Sequence, residues 1–247
     1  MQLSLSTWQE VDAYLERSTG IIIPIGSTEQ HGPNGLIGTD AICPTRIAAG
    51  IEEHMDVLIA PTINYGMAQH HMAFAGTITL RPSTLIQLVS DVIESLQQHG
   101  FTHFYFINGH GGNIPPVTTA FCEAYHTAGQ HDGPAPRCRL ANWWRNDAIT
   151  ALAADLYGEA EGHHATVSEV ALSYFAHPKA VKNVIMTPEV APNGEIYDAI
   201  DFRENFPDGR IGSSPQLATI EDGKRFYQLA VEALTEDYKR FLKGDIS

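Results

Sequence analysis

The sequence of 247 residues is short of positive charge: 15 Lys and Arg stand against 29 Asp and Glu, a formal net charge of −14. Phosphate backbones and anionic headgroups are held by basic surfaces, so neither nucleic acid nor an anionic membrane is an expected partner. Cysteine is scarce too: Cys43, Cys122 and Cys138 are the full set, and none forms a CxxC pair. That count offers no disulfide framework and no thiolate zinc motif, and it fits reduced thiols in the cytoplasm. No stretch approaches the roughly 20 apolar residues that span a bilayer. The first six residues lack the basic and apolar regions of a secretory leader. Internal repeats and low-complexity tracts are also missing. The expectation is a soluble cytoplasmic protein with one domain over residues 1–247.

What is present is a globular composition, 43% hydrophobic and 18% charged, in which apolar runs and amphipathic segments alternate. Strands are expected at 21–25, 57–60, 101–107 and 137–142. Helices are expected at 7–16, 45–54, 84–98, 117–126, from 166 onward, and at 220–242. In the helix at 84–98, Leu85, Leu88, Val89, Val92, Ile93 and Leu96 mark a buried face between a Ser83 cap and Gly100. Such alternation predicts a mostly parallel sheet with helices on both faces. Residues 187–214, rich in Pro, Gly, Asn and Asp, read as long surface loops able to form a lid or an oligomer contact.

Three polar segments carry the chemistry. Gly26-Ser27-Thr28-Glu29-Gln30-His31-Gly32 and Gly38-Thr39-Asp40 follow the first strand, where open α/β sheets bind ligands. Glu29, His31 and Asp40 offer the oxygen and nitrogen donors that Zn²⁺ or Mn²⁺ accepts. Asn108-Gly109-His110-Gly111-Gly112-Asn113 sits where the third strand turns into a helix. Its glycines permit close approach to His110, and its spacing matches neither the dinucleotide fingerprint nor the Walker pattern. His163-His164 precede Glu169, which the bland reading makes a helix-start carboxylate that complements the dipole. Adjacent histidines cannot both face one site, so at most one is catalytic. His70-His71 with Phe74–Thr77 could line a pocket, though a solvated pair is the commoner case. His54, His99, His103, His126, His131 and His177 show no partner pattern and read as surface or structural.

Taken in order, the three segments resemble the signature of the creatininase family of metal hydrolases. That signature is Gly-x-x-Glu-x-His-Gly closing on Gly-Thr-Asp, then Asn-Gly-His-Gly-Gly-Asn, then His-Ala-x-x-x-Glu, and here it falls within about residues 20–175. The resemblance implies a three-layer α/β/α sandwich with a mostly parallel central sheet, assembled as a homo-oligomer, commonly a hexamer. It also implies two divalent ions per subunit, zinc or manganese, with iron as an option. Glu29, Asp40 and His110 would hold one, His31 and Asp40 the other, with Asp40 bridging. His164 matches the family's catalytic histidine and Glu169 its following acid. Creatinine-cleaving members carry Tyr-Glu where this chain has Gly111-Gly112, and a tryptophan where it has Ala160. Glu169 is therefore the expected replacement ligand, and creatinine is not the expected substrate. Trp144, His71, Gly111 and Gly112 are the expected substrate-pocket residues.

The expected reaction is hydrolysis of an amide, formamide or cyclic amide by a metal-bound water acidified to hydroxide, with His164 as proton shuttle. Carbon–carbon or lactone hydrolysis at the same site, a non-catalytic metal-binding protein, and nucleotide binding at the Gly109–Gly112 loop are the alternatives.

Overall fold

The structure, a computed structural model, describes residues 1–130 and 135–244; His131 lies outside them. Helix α1 (Trp8–Leu15) starts at a Thr7–Glu10 capping box and leads into strand β1 (Gly20–Ile25). There follow α2 (Thr39–Glu52), β2 (Leu58–Ile59), α3 (Pro82–Gln97), β3 (His103–Asn108), α4 (Ile114–Ala128) and β4 (Arg137–Asn142). The remaining helices are α5 (Asp147–Tyr157), α6 (Val167–Ala176), α7 (Ala199–Asn205) and α8 (Ile220–Leu242).

Among the described residues the strands form one sheet in the order β2-β1-β3-β4, every pair parallel. Side chains alternate across each strand, so both faces of β1 and β3 need cover. Ile21, Ile23, Ile25, Phe104 and Phe106 pack under α1, α3 and α4. Ile22, Tyr105 and Ile107 pack under α2, α5, α6 and α8. The result is the expected α/β/α sandwich. Each fully buried side chain of this size contributes about 1.5–3 kcal/mol relative to exposure. Ile25, Asn108 and Asn142 are register partners, so the loops after β1, β3 and β4 leave the sheet at one level.

Three sequence expectations change. Helix α2 begins at Thr39 rather than near residue 45, which places Asp40 in its first turn. Pro44 lies inside that helix, where it cannot donate to the Asp40 carbonyl. Residues 147–157, given no element from sequence, form α5. Residues 187–214 are not surface loops throughout: they include α7, and both Phe202 and Arg210 are fully buried. No helix of the described residues is long and apolar enough to cross a membrane.

Candidate metal centre

The loops after β1 and β3 meet the first turn of α2 at the carboxyl edge of the sheet. A β-carbon at Gly26 or Gly109 would overlap the Asp40 carbonyl, so glycine at both positions lets α2 start against both strand ends. Two asparagines tie the loops together. Asn113 donates to the Gly26 carbonyl at 2.9 Å and accepts from the Met67 N–H at 3.1 Å. Asn108 donates to the His110 carbonyl at 2.7 Å and to Asn142 Oδ1 at 2.8 Å, and it accepts from the His110 N–H at 3.1 Å. Backbone anchoring of this kind fixes side-chain direction before any ligand arrives.

Glu29, His31, Asp40 and His110 converge there, all buried. His110 donates from Nε2 to the Met67 carbonyl at 2.9 Å and turns Nδ1 to Glu29 Oε1 (3.3 Å) and Asp40 Oδ2 (3.1 Å). His31 donates from Nδ1 to the Glu29 carbonyl at 3.2 Å and turns Nε2 to Asp40 Oδ1 at 2.9 Å. Glu29 Oε2 accepts from Ser27 Oγ at 2.7 Å. Its Oε1 and Asp40 Oδ2 are buried without an aligned hydrogen bond, an arrangement that costs free energy unless a cation completes it. The donor atoms of Glu29, Asp40 and His110 lie within 4.8 Å of one another, as do those of His31, Asp40 and Glu169. Oxygen and imidazole donors at this spacing fit divalent zinc or manganese.

The later segments complete the surround. Glu169 sits in the first turn of α6, where its Oε1 accepts from the Thr166 N–H at 2.6 Å in a capping box. The same oxygen lies 3.7 Å from His31 Nε2. The helix-start reading and the metal-site reading of Glu169 thus describe one carboxylate. His164 forms a β-bridge with Ile211, and its Nδ1 is 4.0 Å from Glu29 Oε1, whereas His163 is exposed. Phe202 of α7 closes against His71 and His164, with ring centroids 4.9 and 6.0 Å away. The residues 187–214 are shaped from within by Arg210, which donates to the Pro188, Glu189 and Ser213 carbonyls and pairs with Asp208 at 2.8 Å.

Electrostatics follow from three carboxylates in a buried space. Burial pushes the Glu29 carboxyl up, but the His110 and His71 imidazoles outweigh it and hold it well below the usual range. Burial opposes charge on His31, yet Asp40 and Glu169 hold its pKa at about 10. His110 is likewise raised against burial, chiefly by Glu29. Burial lifts Glu169 to about 7. His164 is driven well below the ordinary value by burial, then by His71 and His31, and so stays neutral. The protons on His31 and His110 stand where a divalent cation would balance the same carboxylates.

A cavity of about 670 Å³ opens over Glu29, Asp40, His110, His164 and Glu169, with Trp144, Arg145 and Ile149 in its wall. Gly111 lines it as well. Gly112 and His71, expected at the pocket, are not among its lining residues. A β-carbon at Gly112 would overlap the Met67 carbonyl and the His110 ring. His71 is buried rather than solvated, with Nε2 3.0 Å from Glu29 Oε1, and His70 is pushed by burial and by His71 to about 4. The sequence reading passed over Gln30, Phe202 and Arg210. Gln30 lay inside the motif without an assigned role, and the other two are separated from it by well over a hundred residues.

Comparison with known proteins places these features in context. A family model described as creatinine amidohydrolase matches residues 4–238. The mycofactocin precursor peptide peptidase of Mycobacterium ulcerans is 36% identical over 236 residues, covering 91% of this chain and 86% of that protein. The creatinine amidohydrolase of Pseudomonas putida is 25% identical over 247 residues, covering 93% of each. A solved structure described as manganese creatininase superimposes with a TM-score of 0.86 at 23% identity over 98% of both chains, a likeness of fold.

Proposed function

The chain belongs to the creatininase family and is a metal-dependent hydrolase of carbon–nitrogen bonds; from that premise we propose that it uses two divalent ions, zinc or manganese, to hydrolyse a small amide, formamide or cyclic amide. The observation that carries the two-ion reading is Asp40. Its Oδ2 faces His110 and its Oδ1 faces His31, so one buried carboxylate belongs to both donor groups. Glu29, Asp40 and His110 would hold one ion, and His31, Asp40 and Glu169 the other. Bound there, such ions lower the pKa of water toward neutrality and polarise a carbonyl oxygen.

The chain's own residues do the rest. His164, kept neutral at the cavity wall, takes up a proton and returns it to the leaving nitrogen. The backbone of Gly111, open to the cavity, steadies the developing oxyanion. Trp144 and Ile149 give the substrate an apolar wall that excludes water. A cavity of about 670 Å³ suits a small molecule. Creatinine falls outside the proposal because Gly112 leaves no room for an acidic side chain beside His110. Identity to a peptidase brings the amide of a short peptide in as a second reading. A homo-oligomer, a hexamer by resemblance, is part of the same proposal.

Protein purified without affinity-tag metal should carry two divalent ions per chain by elemental analysis. A panel of amides, formamides, cyclic amides and short peptides should contain a substrate. His164→Ala should cut turnover by about 10²–10⁴ while keeping the metal; parallel loss of both would make His164 a ligand instead. Glu169→Ala should release one ion per chain, and two ions bound with unchanged affinity would overturn its assignment.

A further inference from the structure

Gln30 lies between two proposed ligands and is itself buried. Its backbone carbonyl is 2.9 Å from His164 Nε2. Its side-chain oxygen accepts from the Gly32 N–H at 2.8 Å, and its amide nitrogen donates to the Gly209 carbonyl at 2.9 Å. These two bonds fix which end of the amide is nitrogen, because an N–H can only donate and a carbonyl can only accept. The same amide nitrogen lies 3.0 Å from His71 Nδ1 and 2.9 Å from His164 Nε2. Two amide hydrogens therefore face three candidate acceptors, and Gly209 takes one.

The remaining ambiguity resolves by elimination. A backbone carbonyl cannot donate, so the Gln30 oxygen accepts the hydrogen on His164 Nε2. That nitrogen is then no acceptor, and the second amide hydrogen goes to His71 Nδ1. A hydrogen on His71 Nδ1 would point N–H at N–H, so the His71 proton sits on Nε2, 3.0 Å from Glu29 Oε1.

We infer that Gln30 is a positioning residue that sets the proton placement of both imidazoles. Its carbonyl leaves the lone pair of His164 on Nδ1, facing the cluster. Its side chain puts the His71 proton on the ring edge 3.0 Å from Glu29 Oε1, close enough to support that metal-binding carboxylate electrostatically without an aligned hydrogen bond, rather than making His71 a wall of the substrate pocket. Gly209 takes part because a β-carbon there would overlap the Gln30 amide. In this way residues 187–214 reach Gln30 as well as His164, which they also hold through Ile211 and Ser213. The purpose of the device rests on the hydrolase reading above, but its geometry does not.

Long-range ¹H–¹⁵N correlation spectra of ¹⁵N-histidine-labelled, zinc-treated protein read the tautomers directly. Both His71 and His164 should carry the proton on Nε2. A proton on Nδ1 of either ring overturns the inference. Gln30→Met keeps the side chain's size without a donor. It should leave His164 unchanged, move His71 to a mixture of tautomers, and weaken zinc binding about 10- to 100-fold in competition with a chromophoric chelator. An unchanged His71 spectrum in that variant also overturns it. If the wild type binds no zinc, the hydrolase reading fails while the tautomers remain readable on the same sample.

Discussion

The two sides of the site are built differently. The floor, Glu29, His31, Asp40 and His110, hangs from the ends of β1 and β3 and the first turn of α2. Asn108 and Asn113 bond it to backbone groups in the loops after β1 and β3 and in the segment between β2 and α3. In the roof, His164, Glu169 and α7, the Glu169 carboxylate is fixed by its local capping box, but His164 is held by partners far away in sequence. His164 bridges to Ile211, Ser213 Oγ donates to the His164 carbonyl at 2.7 Å, and Arg210 organises the turn beyond. The floor borrows its rigidity from the sheet, while the roof must make its own. The difference separates what holds a cation from what completes and covers the site.

Asp40 is the residue that both sides share, and its removal is the harshest test of the contrast. Asp40→Ala should empty both proposed ion sites and cost several kcal/mol of transition-state stabilisation, a loss of about 10³-fold or more in turnover. Elemental analysis with a thermal melt distinguishes lost metal from a lost fold. One ion retained at wild-type affinity would mean that floor and roof bind independently, and Asp40 would not be a bridge.

Arg210 tests the roof alone. Its guanidinium is fully buried, paired with Asp208 and bonded to three carbonyls. Arg210→Met leaves the Pro188, Glu189 and Ser213 carbonyls without that donor and should cost about 3 kcal/mol, the order expected for stranding buried and part-buried acceptors. For a chain of this size each kcal/mol lowers Tm by roughly 2–4 °C. Calorimetry should therefore show a fall of about 6–12 °C, with the ion on Glu29, Asp40 and His110 still bound. Loss of that ion as well would show that the two sides form one cooperative unit.

The same contrast explains what could be read from the sequence. The floor was legible because its signals are local: a β-branched run broken by Gly26, a glycine-rich turn after β3, and donors spaced for one loop end. Helix α8, 23 residues long, was legible because Phe226, Ala230, Leu234, Tyr238 and Phe241 repeat at helical spacing through most of it. The start of α2 was misplaced: the helix begins at Thr39 and carries Pro44 in its interior, a position where proline removes a backbone donor and ordinarily ends a helix. His164 and Glu169 of the roof were read from the third motif, but the rest of the roof hid for another reason. Phe202 and Arg210 are buried by contacts across the chain, and a Pro- and Gly-rich composition gives no warning of that. His71 was obscured in the same way: its partner Glu29 is 42 positions away, and a histidine pair in a loop carries no periodicity.

The smallest effects lie within the floor itself, at the two adjacent glycines. Gly111 faces open space, so Gly111→Ala should change stability by no more than about 0.5 kcal/mol. At Gly112 the added methyl meets the Met67 carbonyl, the group that orients His110, together with the His110 ring. Gly112→Ala should cost about 1–3 kcal/mol by overpacking and should weaken metal binding, because the ring must turn or Met67 must retreat. Denaturant melts and metal titrations of the two variants, run side by side, read both quantities. Equal behaviour would mean that the loop yields freely around His110, and the floor would then lack the stiffness that sets it apart from the roof.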